Sequence, residues 1–183
     1  MERAEAINLL KEKVKSKNLI KHCLAVEAVM RGLAERFNEN QEKWGLAGLL
    51  HDIDYEETKN DPARHSLLGA EMLGRYNLDQ EIIEAIKAHN EIHNLPRQSQ
   101  IAKALFCSDP TTGLIVASTL VFPSKMIKDL TVENVLNRYK EKSFARGANR
   151  ITIATCQELS LSLLEFLQIA LKAMQNIAGD LGL

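Results

Sequence analysis

Apolar residues recur at helical spacing along most of the chain. Ala6, Ile7, Leu10 and Val14 predict a helix over 3–15. Leu19, Cys23, Val26, Met30, Leu33 and Phe37 predict a second over 19–37. Residues 44–51 are apolar on nearly every side, which predicts a short buried segment. In "NDPARHSLLGAEMLGRY", Asp61 suits a cap and Pro62 the first helical position. Asp79 suits the start of "QEIIEAIKAHN", and 97–107 read as another helix with an apolar face.

After Cys107 the pattern is less decisive. "DPTTGLIVASTLVF" is rich in β-branched residues, which suit a strand, but its helical neighbours favour a helix. Pro123 ends it. Thr131 suits the cap of a helix reaching about Lys142, and 149–158 read as a short helix. Ser162 and Glu165 have capping-box spacing before "FLQIALKAMQNIAG", and Gly179 suits its end. There is no repeat and no low-complexity linker. The expectation is all-α: one compact helical domain over 1–183, with C-terminal helices over about 130–183 packed on the rest.

Composition agrees with that picture. A chain of 183 residues, 45% hydrophobic, fits one domain with a sizeable core. Its 23 basic and 24 acidic side chains leave a net charge of −1, with no global pull toward polyanions. Aromatics are only 5% and are not interleaved with basic residues, which argues against a nucleic-acid substrate. No glycine-rich phosphate loop is present, so ATP-driven chemistry is not expected. Cys23, Cys107 and Cys156 are far apart; they suit core positions in a reducing compartment better than disulfides. The N-terminal stretch lacks a signal-peptide core, and no run of about 18 uncharged apolar residues is found. A soluble cytoplasmic protein, with no membrane partner, is the simplest expectation.

The chemistry concentrates at "AGLLHDIDYEE", where an apolar run ends in His51–Asp52. His22, His51, His65 and His89 each lie on, or at the end of, a predicted helix. A single such histidine is ordinarily a surface or hydrogen-bonded core residue, and sequence does not show whether four converge. His89 and His93 have the spacing of the zinc-protease helix motif, but Asn90 stands where that motif needs glutamate. Asp109 precedes Pro110 and suits a helix cap as well as a ligand.

Taken together, His22, His51–Asp52 after an apolar helix, and Asp109 resemble the HD-domain metal-dependent phosphohydrolase superfamily. "LLHDIDYE", "NEIHNLP" and "GLIVASTLVFPSK" are similar to bacterial HDIG-type hydrolases of this length, over about residues 18–125. The resemblance implies one metal held by His22, His51, Asp52 and Asp109. Members with two metals add two histidines, which here are His65 in "RHSLLGAEML" and His89 in "IKAHNE", with Asp52 bridging. His51 and Asp52 are then the catalytic pair. Adjacent helical residues point roughly 100° apart, so both can serve one site only beside a helix end. There a carboxylate can span two ions with its two oxygens. Imidazoles mixed with carboxylates suit iron, manganese, cobalt, nickel or zinc rather than calcium.

The implied function is metal-dependent hydrolysis of a phosphate ester, mono- or diester, by activated water. A small nucleotide or another phosphorylated metabolite is the expected substrate. Two alternatives are a di-iron oxygenase of the HD type and a regulatory module with a structural metal. Asp54 is expected either to orient an imidazole or to be solvated; Glu56, Glu57 and the loop residue His93 are expected to be solvated. Candidate phosphate-binding cations are Lys87, Lys125, Lys128, Lys142, Arg146 and Arg150. Lys125 resembles a position the family keeps near the site. Lys142, Arg146 and Arg150 would share one face of a continuing helix, whereas a break at Gly147 would let the loop fold toward the metals.

Overall fold

In the computed structural model, which describes residues 1–183, most helices begin where a short polar side chain replaces a missing backbone partner. α1 spans Arg3–Lys13. α2 spans Lys17–Phe37, starts at the Ser16 hydroxyl and ends at Asn38 in the left-handed conformation (φ 55°). α3, Gln41–Leu50, starts at Asn40. Two short helices follow, α4 (Tyr55–Thr58) and α5 (Leu67–Leu73). Asp79 caps α6 (Gln80–His89) and Ser99 caps α7 (Gln100–Val121). Thr131 and Asn134 cap each other at α8 (Val132–Lys140). Asn149 caps α9 (Arg150–Ala154), Ser162 caps α10 (Leu163–Asn176), and α11 (Ala178–Leu181) follows. The protein is all-α.

α2 lies at the centre, against α3, α7 and α10, and α6 packs on α7. α2 and α3 approach closely because α3 carries Gly48. A Cβ there would lie 2.8 Å from the Glu27 nitrogen and 2.8 Å from the Val26 oxygen of α2, inside backbone contact distance. One cluster of buried apolar side chains runs from Ala6 to Leu181 and includes Cys23, Cys107 and Cys156. By length and composition α7 is long and apolar enough to cross a membrane, although it carries Lys103 and Asp109, and 61% of its apolar window is buried inside the protein.

Four boundaries differ from the sequence reading. The segments over 97–107 and after Asp109 are one continuous helix with Pro110 inside it. Proline removes one rung of the ladder. Nearby, Thr111 donates to the Cys107 carbonyl (2.7 Å) and Thr112 to the Asp109 carbonyl (2.9 Å). Ser118 and Thr119 similarly donate to Leu114 and Ile115, so this β-branched stretch is hydrogen-bonded back onto its own helix. Asp109 is therefore no cap. Asp61 and Pro62 do not start a helix either: turns run up to Ser66, which has φ 71°, and α5 begins at Leu67. The last helical stop is Gly182, at φ 68°, rather than Gly179. Finally, α8 ends at Lys140, so Lys142, Arg146 and Arg150 do not share a helix face.

Candidate metal centre

Five elements deliver the six predicted ligands to one place. α2 presents His22, the end of α3 His51 and Asp52, the turn before α5 His65, the end of α6 His89, and the middle of α7 Asp109. His22 Nε2 lies 3.2 Å from His51 Nε2 and 3.0 Å from Asp109 Oδ1. Asp52 Oδ2 faces this group, 3.4 Å from His51 Nε2 and 3.6 Å from His22 Nε2. Its other oxygen, Oδ1, lies 3.3 Å from His65 Nε2 and 3.6 Å from His89 Nε2, which are 3.2 Å apart. His51 also stands near the second group: its donor atoms and those of Asp52 and His89 all lie within 4.8 Å of one another.

These distances suit metal ions. Ligand atoms about 2.0–2.2 Å from a common ion stand about 3.0–3.5 Å apart. The two clusters fit one or two divalent transition metals, because both offer imidazole nitrogen and carboxylate oxygen together.

The imidazoles are also fixed in the tautomer a ligand needs. His51 Nδ1 donates to the Gly48 carbonyl (2.8 Å) and His89 Nδ1 to the Ile86 carbonyl (2.7 Å). His65 Nδ1 donates to Asp54 Oδ1 (3.0 Å). The Thr112 hydroxyl spends its hydrogen on the Asp109 carbonyl, so it accepts from His22 Nδ1 at 3.1 Å. Each Nδ1 thus carries a proton, and each Nε2 points into the cluster.

Asp54 is fully buried and orients His65. Its Oδ2 accepts from the Ser66 and Gly69 N–H groups at 2.8 and 2.9 Å, which leaves Oδ1 for the imidazole. The positive φ of Ser66 turns that N–H onto the carboxylate. Asp54→Asn has a specific expected outcome. An amide has one acceptor oxygen, which the two backbone N–H groups will claim. Its NH₂ then faces His65 Nδ1 and moves the imidazole proton to Nε2, the atom aimed at Asp52. Elemental analysis should show about one ion fewer per chain than wild type, with the His22–Asp109 half retained. Wild-type metal content in Asp54→Asn would refute this orienting role.

Charges within the cluster shift its protonation. Burial pulls His51 down, against the charges of Asp52 and Asp109. Burial also opposes protonation of His65, but its hydrogen bonds to Asp52 and Asp54 outweigh it and raise its pKa to about 10. His22 is raised similarly by Asp109. Burial pushes Asp52 up, yet His51, His65, His89 and His22 together hold it well below the usual carboxylate range. In the metal-free protein His65 therefore keeps a proton at neutral pH, and an incoming metal must displace it. Metal affinity should rise with pH, by about tenfold per unit for each proton displaced.

The sign for stability is the reverse. A folded-state pKa near 10, against 6.5 for a free histidine, favours the fold of the metal-free protein fully below pH 6.5. That contribution declines as pH rises toward 10 and is lost above it. Urea melts of metal-free wild type and His65→Gln should converge between pH 6 and 10.5. A pH-independent gap would contradict the assignment.

Two clefts reach the cluster. One, of about 230 Å³, is lined by His65, His89, Asp109, Gly147 and Asn149 among others. The other, of about 480 Å³, meets His22 between α2 and α7. The loop around Gly147 does fold toward the cluster, but the predicted cations do not line either cleft. Lys125 lies beyond the end of α7, and the twelve steps from Asp109 to Val121 carry the chain about 18 Å along the helix axis. Lys128, Lys142 and Arg146 are exposed, and Lys87 pairs with Glu84 at 3.1 Å. Arg150 turns inward onto backbone carbonyls, which corrects its expected role as a substrate grip. His93 is not simply solvated: its Nε2 donates to the His65 carbonyl at 2.8 Å, and Asn90 Nδ2 donates to the same atom at 3.1 Å.

Sequence reasoning missed Thr112 and Asn90 as anchors of His22 and His65. Neither residue carries a local signal, because each partner lies far away in the chain. A larger cleft of about 570 Å³ between α2 and α10 holds no cluster residue. Its arginines are occupied: Arg3 and Arg31 by Glu27, Arg31 also by Glu42, and Arg36 by Glu165.

Comparison with known proteins agrees with this geometry. The family model described as "HD domain" matches residues 19–117, more than half of the chain. Ribonuclease Y of Lawsonia intracellularis is 28% identical over 138 residues, covering 74% of this chain and 26% of that protein. Ribonuclease Y of Nitratidesulfovibrio vulgaris is 32% identical over 138 residues, with the same coverage of 74% and 26%. Ribonuclease Y of Mycoplasma mycoides subsp. mycoides is 33% identical over 92 residues, covering 50% of this chain and 18% of that protein. The chain thus spans about a quarter or less of the length of these relatives. No solved structure matches. The ribonuclease relatives overturn the expectation against a nucleic-acid substrate. That expectation rested on aromatic content and net charge, which report stacking and long-range attraction, whereas a metal cluster grips phosphate without either. With its His-Asp cluster and the family match in agreement, the chain belongs to the HD-domain family of metal-dependent phosphohydrolases.

Proposed function

We propose that this chain hydrolyses phosphodiester bonds in RNA, with water as the attacking group. The observation that carries the reading is Asp52, whose two oxygens each face one half of the cluster. The ribonuclease relatives support RNA as the substrate class. In this reading His22, His51, Asp52 and Asp109 hold one divalent ion, and Asp52, His65 and His89 hold the other. Bound ions supply a water of lowered pKa and offset charge gathering on the phosphoryl oxygens. The buried His51 and His89 close the floor of the cluster to bulk solvent. Asp109, with 34% of its side chain exposed, leaves one side open to a phosphate. Hydrolysis breaks one P–O ester bond, adds the hydroxyl of water to phosphorus, and passes the remaining proton to the released oxygen.

The narrow cleft of about 230 Å³ beside His65 supports a second reading, a small nucleotide. Single-stranded RNA, mononucleotides, cyclic dinucleotides and dinucleoside polyphosphates, each with manganese, cobalt or iron, separate the two. Cleavage of RNA is the expected result. Hydrolysis confined to the small substrates would favour the second reading. Oxygen uptake without phosphate-ester cleavage would overturn both in favour of oxygenase chemistry.

A further inference from the structure

We infer that the cleft between α2 and α7 receives the base and sugar of the nucleotide next to the scissile phosphate. This rests on the phosphodiester reading above and adds a substrate subsite to it. The cleft, about 480 Å³, lies within the size range of small-ligand pockets, about 300–1,000 Å³. It is continuous with the cluster because His22 lines it, and so does Thr112, whose hydroxyl holds the His22 ring. A group seated there is beside a metal ligand.

The lining suits a nucleotide. Val116 and Leu120 of α7 give it one apolar wall, Leu181 and Leu183 close another side, and Leu120 stays 53% exposed. Val116 stands four residues beyond Thr112, about 6 Å along α7, where it suits the flat, weakly hydrated face of a base, and Leu120 stands about 6 Å further out. Across the cleft, the exposed Lys21 supplies a cation for a neighbouring phosphate.

Gly113 is the most informative lining residue. Glycine is the poorest helix former after proline, and Gly113 lies inside α7. Its backbone does not require glycine, because the only glycine with positive φ is Gly182. Packing does not require it either: a Cβ at Gly113 would meet nothing within 4 Å. What glycine preserves here is open space at the cleft wall.

The test is calorimetric binding to manganese-loaded protein. The probes are a phosphorothioate-linked ApA dinucleotide and inorganic phosphate. The proteins are wild type, Gly113→Ala, Gly113→Leu and Lys21→Ala. Wild type should bind the dinucleotide at least about tenfold more tightly than phosphate. Gly113→Leu should lose that advantage while its phosphate affinity stays at the wild-type value. Lys21→Ala should weaken the dinucleotide alone, by about threefold or more. Gly113→Ala should raise Tm by about 2–4 °C, as expected where only helix propensity changes. The inference is overturned if wild type binds the dinucleotide no better than phosphate, or if Gly113→Leu and Lys21→Ala both retain its full affinity. Dinucleotide binding of the expected pattern in a protein that leaves RNA uncut would sink the RNA reading and keep the subsite.

Discussion

Asp52→Ala is expected to remove metal from both halves of the cluster and to abolish hydrolysis. Losing a partner outside the ligand shell typically costs about 10–100-fold in metal affinity or activity. Asp52 is closer to the chemistry than that, and it is shared. Its Oδ2 faces His51 and His22, and its Oδ1 faces His65 and His89. Removing it takes the negative charge from between four imidazoles at once. The fall in kcat should exceed 100-fold, and elemental analysis should find less than one ion per chain. His51→Ala should be milder in metal content, because it leaves Asp52 in place for the His65–His89 half. Equal metal content in wild type and Asp52→Ala would refute the bridge. Far-ultraviolet circular dichroism must show that the variant is folded, since Asp52 directly follows the buried end of α3.

Arg150→Ala carries the second-largest expected effect, on stability rather than chemistry. The Arg150 Nε donates to the Tyr139 carbonyl at 3.1 Å. Nη1 reaches Ala145 and Ala148 at 3.0 and 2.6 Å, and Nη2 reaches Arg138, Glu141 and Phe144 at 3.2, 3.3 and 2.6 Å. One guanidinium thus gathers the carbonyls of the whole turn between α8 and α9. In return, the Tyr139 hydroxyl donates to the Arg150 carbonyl at 3.0 Å. Hydrogen bonds from a charged donor each contribute about 1.5–3 kcal/mol, but several of these carbonyls can turn to water instead. A net loss of about 3 kcal/mol is expected, lowering Tm by about 6–12 °C. Lysine should rescue little, because an ammonium cannot reproduce the planar fork. The same turn brings Gly147 and Asn149 to the cleft beside His65 and Asp109, so KM should rise as well. Thermal melts of Arg150→Ala and Arg150→Lys that match wild type would remove this clasp from the account.

The protein is all-α for reasons written locally in its sequence. Apolar spacing and capping side chains act within about four residues, so α2, α6, α8 and α10 are legible from Ser16, Asp79, Thr131 and Ser162. The six cluster residues were legible too, but only through the resemblance of His22, His51–Asp52 and Asp109 to a known family. Periodicity alone left four histidines with no stated relation. Where local signals competed, they misled. Asp61 with Pro62 carries a good helix start, yet the contacts of His65 with Asp54 and Asn90 hold that stretch as turns. Pro110 reads as a break, yet buried hydroxyls and packing on α2 and α6 keep α7 continuous through it.

What only the tertiary structure decided is how the ligands are locked. His22 and Thr112 are 90 residues apart, and no local rule links them. Their contact exists because α2 and α7 pack side by side, which also opens the cleft lined by Gly113. The fate of the basic residues was decided in the same way. A guanidinium on a short helix looks identical in sequence whether it meets phosphate or six carbonyls. The path of the turn between α8 and α9 gave Arg150 the carbonyls and left Arg146 in solvent. Sequence determines the helices because their hydrogen bonds close within one turn. The metal centre depends on five elements meeting, and that meeting is set by the shape of the shared core.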